Sequence, residues 1–259
     1  METPPKRGLV TGAGGGLGRT VAIMLAERGC RVALADRDAK GLEATARSIE
    51  ALGVEYLVFA GDLVEDGAAT KTVDGVVTAW EGLDILVNNA GYGAIEPFFE
   101  MTESLWRKTL AINVVALAML TSAAGAVMKR QRSGRIVNIT SPASRMALPN
   151  YTAYAASKAA VDSITRSASI ALAPFGVLVN SVAPGMMDTA MQRVTEADLA
   201  RLEGRTDLEA FLAERTGRVP VGRRAEIAEV AATVIWLAVD APSYVTAERL
   251  NASGGLDRD

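Results

Sequence analysis

Gly8-Leu9-Val10-Thr11-Gly12-Ala13-Gly14-Gly15-Gly16-Leu17-Gly18 is the stretch that decides the fold. A short apolar run breaks into glycines and resumes as a helical pattern, which reads as strand, tight turn and helix. Glycines let the backbone turn sharply and approach a pyrophosphate. The N–H groups and positive dipole end of the following helix favour an anion. The same glycines also suit a merely flexible loop, but their place between strand and helix favours dinucleotide binding. Gly12, Gly14, Gly15, Gly16, Leu17 and Gly18 are therefore candidate cofactor contacts.

Outward from this turn, apolar runs alternate with helical patterns. Strands are expected at 8–11, 31–36, 56–61, 85–88, 136–140 and 177–182, with helices over 18–28, 40–52, 67–80 and 102–129 between them. Strands that are apolar throughout and separated by helices indicate a parallel sheet covered on both faces, with right-handed crossovers. The expected fold is α/β: a three-layer, Rossmann-like, doubly wound parallel sheet in a single domain spanning 1–259. One segment, Met186 to Val219, breaks the rhythm with two charged helical patches, 195–202 and 207–215. It reads either as a solvated insert or as a substrate lid, since it follows a strand end on the ligand-binding side.

Composition narrows the class. The net charge of −3 gives no reason to expect nucleic acid or an anionic membrane as a partner. A single cysteine, Cys30, excludes an internal disulfide framework and suits a reducing cytoplasm. With no histidine in the chain, a soft-metal site is not expected, and the common proton-transfer side chain near neutral pH is missing. The polar, proline-containing start is unlike a signal peptide, and no unbroken apolar stretch of membrane-spanning length is read.

Two further strand ends face the same crevice. Asp36 closes the second strand 18 residues beyond Gly18, where a carboxylate accepts hydrogen bonds from a ribose and repels a 2′-phosphate. That favours NAD over NADP; the neighbouring Arg37 points the other way, and Asp36 also reads as a strand-end cap. Asp62 and Leu63 follow the third strand and suit an adenine. Asn89, Ala90 and Gly91 follow the fourth, with Asn89 reading equally as a cofactor contact or a backbone brace. Tyr154 and Lys158 stand one helical turn apart, with Ser141 13 residues upstream of the tyrosine. A lysine ammonium beside a phenol stabilises the phenolate and lowers the phenol pKa, which makes tyrosine a proton-transfer group.

Together these motifs resemble the short-chain dehydrogenase/reductase family, in its single-domain branch, over nearly the whole chain. The resemblance rests on Thr11 to Gly18, Asn88 to Gly91, Asn113 in Ala111-Ile112-Asn113-Val114, Ser141, Tyr154 with Lys158, and Pro184, Gly185 and Thr189. It implies a catalytic tetrad of Asn113, Ser141, Tyr154 and Lys158. Tyr154 would be the general acid/base, Ser141 would hold the substrate oxygen, and Lys158 would bind the nicotinamide ribose. Asn113 would hold a relay water, or simply bridge a helix irregularity. Pro184, Gly185, Met187 and Thr189 would face the nicotinamide, with the Val182 backbone pairing its carboxamide.

The resemblance further implies an NAD(H)-dependent interconversion of a secondary alcohol and a ketone. A polyol, sugar derivative or other small hydroxylated compound is the expected substrate, in a cytoplasmic homotetramer or homodimer. An NADPH-dependent ketoreductase is the alternative, and a dinucleotide-binding regulator the alternative outside enzymes. Tyr92, Ala143, Ser144, Tyr151 and Met186 are candidate substrate-wall residues. Pro142 after Ser141, and Ala247 and Ser253 near the C-terminus, depart from the family pattern.

Overall fold

The computed structural model describes residues 4–257. β1 (Arg7–Thr11), α1 (Gly16–Glu27), β2 (Arg31–Asp36), α2 (Ala39–Glu50), β3 (Tyr56–Ala60), α3 (Ala68–Trp80) and β4 (Ile85–Asn88) form the first half. The chain continues through α4 (Glu103–Leu110), α5 (Leu117–Gln131), β5 (Gly134–Ile139), α6 (Thr152–Leu172) and β6 (Val177–Pro184). Last come α7 (Ala190–Leu202), α8 (Leu208–Gly217), α9 (Ile227–Ile235) and β7 (Arg249–Ala252).

All pairings are parallel, and the strand order is β3-β2-β1-β4-β5-β6-β7. The order reverses between β1 and β4, which opens a crevice at their carboxyl ends. Successive strand residues face opposite sides, and each side meets helices. Val10, Leu34, Val87 and Val182 pack with Leu25 of α1, Leu42 of α2 and Val234 of α9. Leu9, Ala33, Leu86 and Ile136 pack with Val76 of α3 and with Leu120 and Met128 of α5. Covering both faces is what makes the strands apolar throughout. The fold is the expected three-layer Rossmann-like domain.

Four details differ from the sequence reading. β7, with the sequence Arg-Leu-Asn-Ala, is an additional edge strand with no apolar run to announce it. The helix expected at 102–129 is split by a π-helical turn at Ala111–Ala116. The insert's first helix begins at Ala190, five residues before the expected charged patch. The span Glu103–Gln131 is also long and apolar enough to cross a membrane by length and composition, a match that polar interruptions hid from the search for unbroken runs. Here Leu117, Leu120, Ala124 and Met128 are buried, so it is a core helix.

A buried polar ladder ties the middle layer to its helices. Asn88 Nδ2 donates to Thr121 Oγ1 on α5 at 3.0 Å and to Asn138 Oδ1 on β5 at 2.9 Å. Asn138 Nδ2 donates in turn to Thr165 Oγ1 on α6 at 2.9 Å. Buried amides need partners, so this chain of bonds fixes where α5 and α6 sit against β4 and β5.

Candidate active site

The glycine turn lies at the sheet's switch point. Gly12 has φ +67°, a conformation that favours glycine. A Cβ on Gly18 would lie 2.1 Å from the Gly12 carbonyl oxygen, so glycine there lets helix and strand meet. A Cβ on Gly15 would meet nothing within 4 Å, leaving open space in front of α1. No side chain caps the N-terminus of α1, and its first-turn N–H groups remain available to an anion.

Two anchors hold the turn. Asn89 Nδ2 donates to the Thr11 and Gly12 carbonyls at 3.0 and 3.2 Å, while Thr11 Oγ1 accepts from the N–H groups of Asn89 and Ala90. Of the two readings of Asn89, these bonds are those of a brace. From β2, Asp36 Oδ2 accepts from the Gly14 N–H at 2.9 Å and Oδ1 from the Asp38 N–H at 3.0 Å. Each carboxylate oxygen therefore keeps a lone pair for a ligand hydroxyl.

A cleft of about 500 Å3 runs from this turn across the sheet. Gly12, Gly14, Gly15, Gly16, Leu17, Asp36, Arg37, Asp62 and Leu63 line one part of it. Asn89, Ala90, Gly91, Ser141, Tyr154, Lys158, Pro184, Gly185, Met187 and Thr189 line the rest. Gly18 stays behind the turn as a packing residue. Val182 is a correction: it is buried in β6 among core side chains, and its carbonyl accepts the Thr140 N–H at 2.9 Å. Thr189 Oγ1 accepts from the Gln192 N–H at 3.2 Å as the cap of α7, which leaves its own proton free to donate.

At the end of β5, Ser141 leaves the strand in an extended conformation, φ −164° and ψ 152°, as the following proline requires. Its Oγ accepts the Ala143 N–H at 3.2 Å, and the residue lines the cleft together with Tyr154. Lys158 is 5% exposed, with Nζ 5.7 Å from the Tyr154 ring centroid and donating to the Ile139 carbonyl at 2.8 Å. Thr140 Oγ1 donates to the Lys158 carbonyl at 3.2 Å, fastening α6 to the end of β5.

Burial governs the charges here. It pushes the Lys158 ammonium down from 10.5 to about 8, with the Asp162 carboxylate opposing. It also pushes the Tyr154 phenol up, opposed by the Ser141 hydrogen bond. The expected lowering of the tyrosine by its lysine is thus corrected for the protein alone. Removing the phenolate from water outweighs what its neighbours return.

Asn113 sits in the π-helical turn, 1% exposed. Its Oδ1 accepts the Tyr92 N–H at 2.7 Å, and Nδ2 donates to the Tyr92 carbonyl and to Ser157 Oγ, both at 2.9 Å. Ser157 Oγ donates onward to the Tyr154 carbonyl at 2.6 Å. The side chain bridges the 91–93 loop and the start of α6, which fits the reading of Asn113 as the bridge of a helix irregularity; both its N–H donors are taken up there, and Oδ1 keeps a second lone pair.

Of the five substrate-wall candidates, only Tyr92 lines the cleft. Ala143 is buried. The Ser144 hydroxyl accepts from Arg249 behind the site at 3.4 Å. Tyr151 packs with Ile95, Leu199 and Phe211 under the helical insert. Met186 does not line the cleft, and its carbonyl accepts the Ala225 N–H at 2.9 Å. In their place, Ile112, Thr140, Met191 and Gln192 line the wall. Met191 lies beside Gly93: a Cβ there would be 3.5 Å from the methionine sulfur and 3.8 Å from a ring carbon of Tyr154. Only the start of α7 at Ala190, invisible in a charge pattern that begins later, would have flagged these two lid residues.

The insert is fastened by a buried carboxylate. Glu196 on α7 accepts two bonds from Arg224, each 2.9 Å, and one from Arg215 on α8 at 3.3 Å. Among the described residues, no group of His, Cys, Asp and Glu is placed to hold a metal ion.

A doubly wound sheet with a glycine turn at its switch point, facing a Ser-Tyr-Lys cluster, defines a nucleotide-dependent oxidoreductase. Residues 6–200 match the family described as short chain dehydrogenase, and the chain belongs to that family. It is 37% identical over 251 residues, 95% of either chain, to a Thermotoga maritima protein described as an uncharacterized oxidoreductase. An NAD+-bound xylitol dehydrogenase superposes with TM-score 0.90 at 34% identity, over 96% of this chain and 98% of that one. An actinorhodin polyketide ketoreductase solved with NADPH superposes with TM-score 0.94 at 31% identity, over 100% of both chains.

Proposed function

We propose that the protein is an NAD(H)-preferring dehydrogenase that interconverts a secondary alcohol and a ketone. Its substrate is a polyol, sugar derivative or other small hydroxylated compound, with the 186–219 insert of its single domain acting as lid. The observation that carries this reading is that Ser141, Tyr154 and buried Lys158 line one cleft together with Asp36. A bound nicotinamide supplies or accepts the hydride at the carbinol carbon.

Tyr154 exchanges the hydroxyl proton of the substrate, which must leave as the carbon is oxidised. Because Ser141 Oγ already accepts from Ala143, its own proton is free to hold the reacting oxygen as charge develops there. Lys158, titrating near 8, carries positive charge at neutral pH and favours the phenolate. Burial works against that phenolate, and an oxidised nicotinamide held in the cleft would bring a positive charge that favours it. Near-ultraviolet difference titration should show the Tyr154 phenol shifting to lower pH when NAD+ binds. An unchanged titration would remove Tyr154 from the role of base.

Asp36 supports NAD, since a carboxylate with free lone pairs suits ribose hydroxyls and repels a phosphate. Arg37 lines the same cleft and favours the second reading, an NADPH-dependent ketoreductase. The likeness to the NAD+-bound xylitol dehydrogenase supports a polyol, and that to the NADPH-bound ketoreductase supports the rival. The test is turnover of an alcohol and ketone panel with both nucleotides, wild type beside Tyr154→Phe. Turnover with NAD(H) that the variant loses supports the proposal. A preference of about tenfold or more for NADPH, roughly 1.4 kcal/mol, defeats the Asp36 argument. Nucleotide binding with no turnover in either protein defeats the enzyme reading.

The working form is expected to be a cytoplasmic homotetramer or homodimer. Val115 and Met119 before and within α5, and Ile170 on α6, leave apolar surface exposed beside a shallow hollow between those helices. Sedimentation that gives a monomer at micromolar concentration would remove this assignment.

A further inference from the structure

Behind the cleft, on the side away from the nucleotide, a charged cluster is buried that no step above uses. Arg249 enters from β7 with its side chain 7% exposed. Its Nη2 donates to the Ser141 carbonyl at 3.0 Å and to the Ser144 hydroxyl at 3.4 Å. The same guanidinium pairs with Asp162 on α6, at 3.5 Å, and with Asp257 after β7; these carboxylates are 8% and 3% exposed. Asn251 accepts a further bond from Nη1, and the Asp257 N–H donates to Ser253 Oγ at 3.3 Å. A buried charge is costly unless paired, and a planar guanidinium can hold several acceptors in fixed directions. The 6–200 match to the family stops short of Arg249 and Asp257.

The cluster touches the proton-transfer site twice. Through the Ser141 carbonyl it holds the backbone of the serine that lines the cleft with Tyr154. Through Asp162 it reaches Lys158, four residues earlier on the same helix face, where Asp162 is the group opposing the effect of burial. Tyr154 faces Lys158, its ring centroid 5.7 Å from Nζ, and Asp162 acts on Lys158 from one turn further along α6; Arg249 on β7 and Asp257 beyond it act through Asp162. We propose that Arg249 is a positioning residue of the catalytic site, anchored by Asp257, which fixes the Ser141 backbone and screens Asp162 from Lys158. The C-terminal segment is then part of the rear wall of the site. The inference rests on the dehydrogenase reading of Ser141, Tyr154 and Lys158.

The experiment follows Lys158 directly, by NMR titration of protein with 13C- and 15N-labelled lysine, its signal assigned with Lys158→Arg. Asp162→Asn should lower the Lys158 midpoint, and Arg249→Met, which leaves Asp162 unscreened, should raise it, each by about half a pH unit or more. Arg249→Lys should restore the midpoint, because it restores the charge. Lacking the fork that reaches Ser141, it should still oxidise the wild type's best panel alcohol about tenfold more slowly, with KM for the nucleotide within about twofold. Midpoints that stay together in wild type, Asp162→Asn and Arg249→Met would overturn the proposal, as would wild-type turnover in Arg249→Lys. If Arg249→Met does not fold, Asp162→Asn and Arg249→Lys decide. Shifted midpoints in a wild type that turns over no alcohol would defeat the dehydrogenase reading, and the catalytic positioning role with it, leaving only the electrostatic link from Arg249 through Asp162 to Lys158.

Discussion

Replacing Lys158 with methionine should make the protein more stable while abolishing its turnover. The lysine is 5% exposed and titrates near 8 instead of 10.5, so keeping it charged in the fold at pH 7 costs roughly 3 kcal/mol. Methionine has a similar length and no charge. Losing the Nζ bond to the Ile139 carbonyl returns about 1–2 kcal/mol of that, which leaves a gain of about 1–2 kcal/mol at neutral pH. The pH dependence is the sharper signature. A basic group with a depressed folded pKa contributes stability above its unfolded value of 10.5 that is lost as pH falls through about 8. Wild type should therefore gain about 2 kcal/mol on the variant between pH 7 and about 9.5. Urea unfolding of both proteins at the two pH values measures this, and Tyr154, present in both, cancels from the difference. A stability difference independent of pH would refute the reasoning, because it would mean that Lys158 carries no burial penalty.

Gly18→Ala places a Cβ 2.1 Å from the Gly12 carbonyl oxygen; unfolding free energy should fall by about 3 kcal/mol or more, with nucleotide affinity lost alongside. Thermal melts that match wild type would contradict the packing role of Gly18. Ala247 holds φ +64°, so Ala247→Gly should stabilise by roughly 0.5–1 kcal/mol once the glycine's unfolded entropy is set against the relieved strain, read as a raised urea midpoint. Glu196→Gln removes the buried partner of Arg224 and Arg215 and should cost about 2–4 kcal/mol at pH 7. Burial raises the Glu196 carboxyl, but Arg224, Gln192 and Arg215 together bring it below 4.5. Its contribution is therefore lost as pH falls below that value, and the gap between variant and wild type should narrow in acid.

The parts of the site legible in the sequence are those set by local chemistry. An apolar run breaking at Gly12 and an acidic end to β2 at Asp36 need no tertiary information, and these residues lie together along the cleft. β7 was not legible, because an edge strand half open to solvent needs no apolar alternation. Ser144, Tyr151 and Met186 sit near Ser141, Tyr154 and Gly185 in sequence, but tertiary packing leaves none of them lining the cleft. Met191 and Gln192 reach it only because the 186–219 segment folds back over the strand ends. The direction of the Tyr154 shift was also hidden: spacing shows a neighbouring lysine, and only packing shows how little water remains.

Glu196 draws its two arginines from α8 and from the short stretch that follows it, so the insert is knotted mainly to its own neighbourhood. Of the side chains it presents to the cleft, Gln192 also acts on Glu196, whereas Met191 takes no part in that knot. Mutational drift can therefore change which molecules fit under the insert while the sheet and the proton-transfer residues keep their places. On the proposed dehydrogenase reading, substrate range is separable from chemistry, and a library at Met191 is a direct way to redirect it.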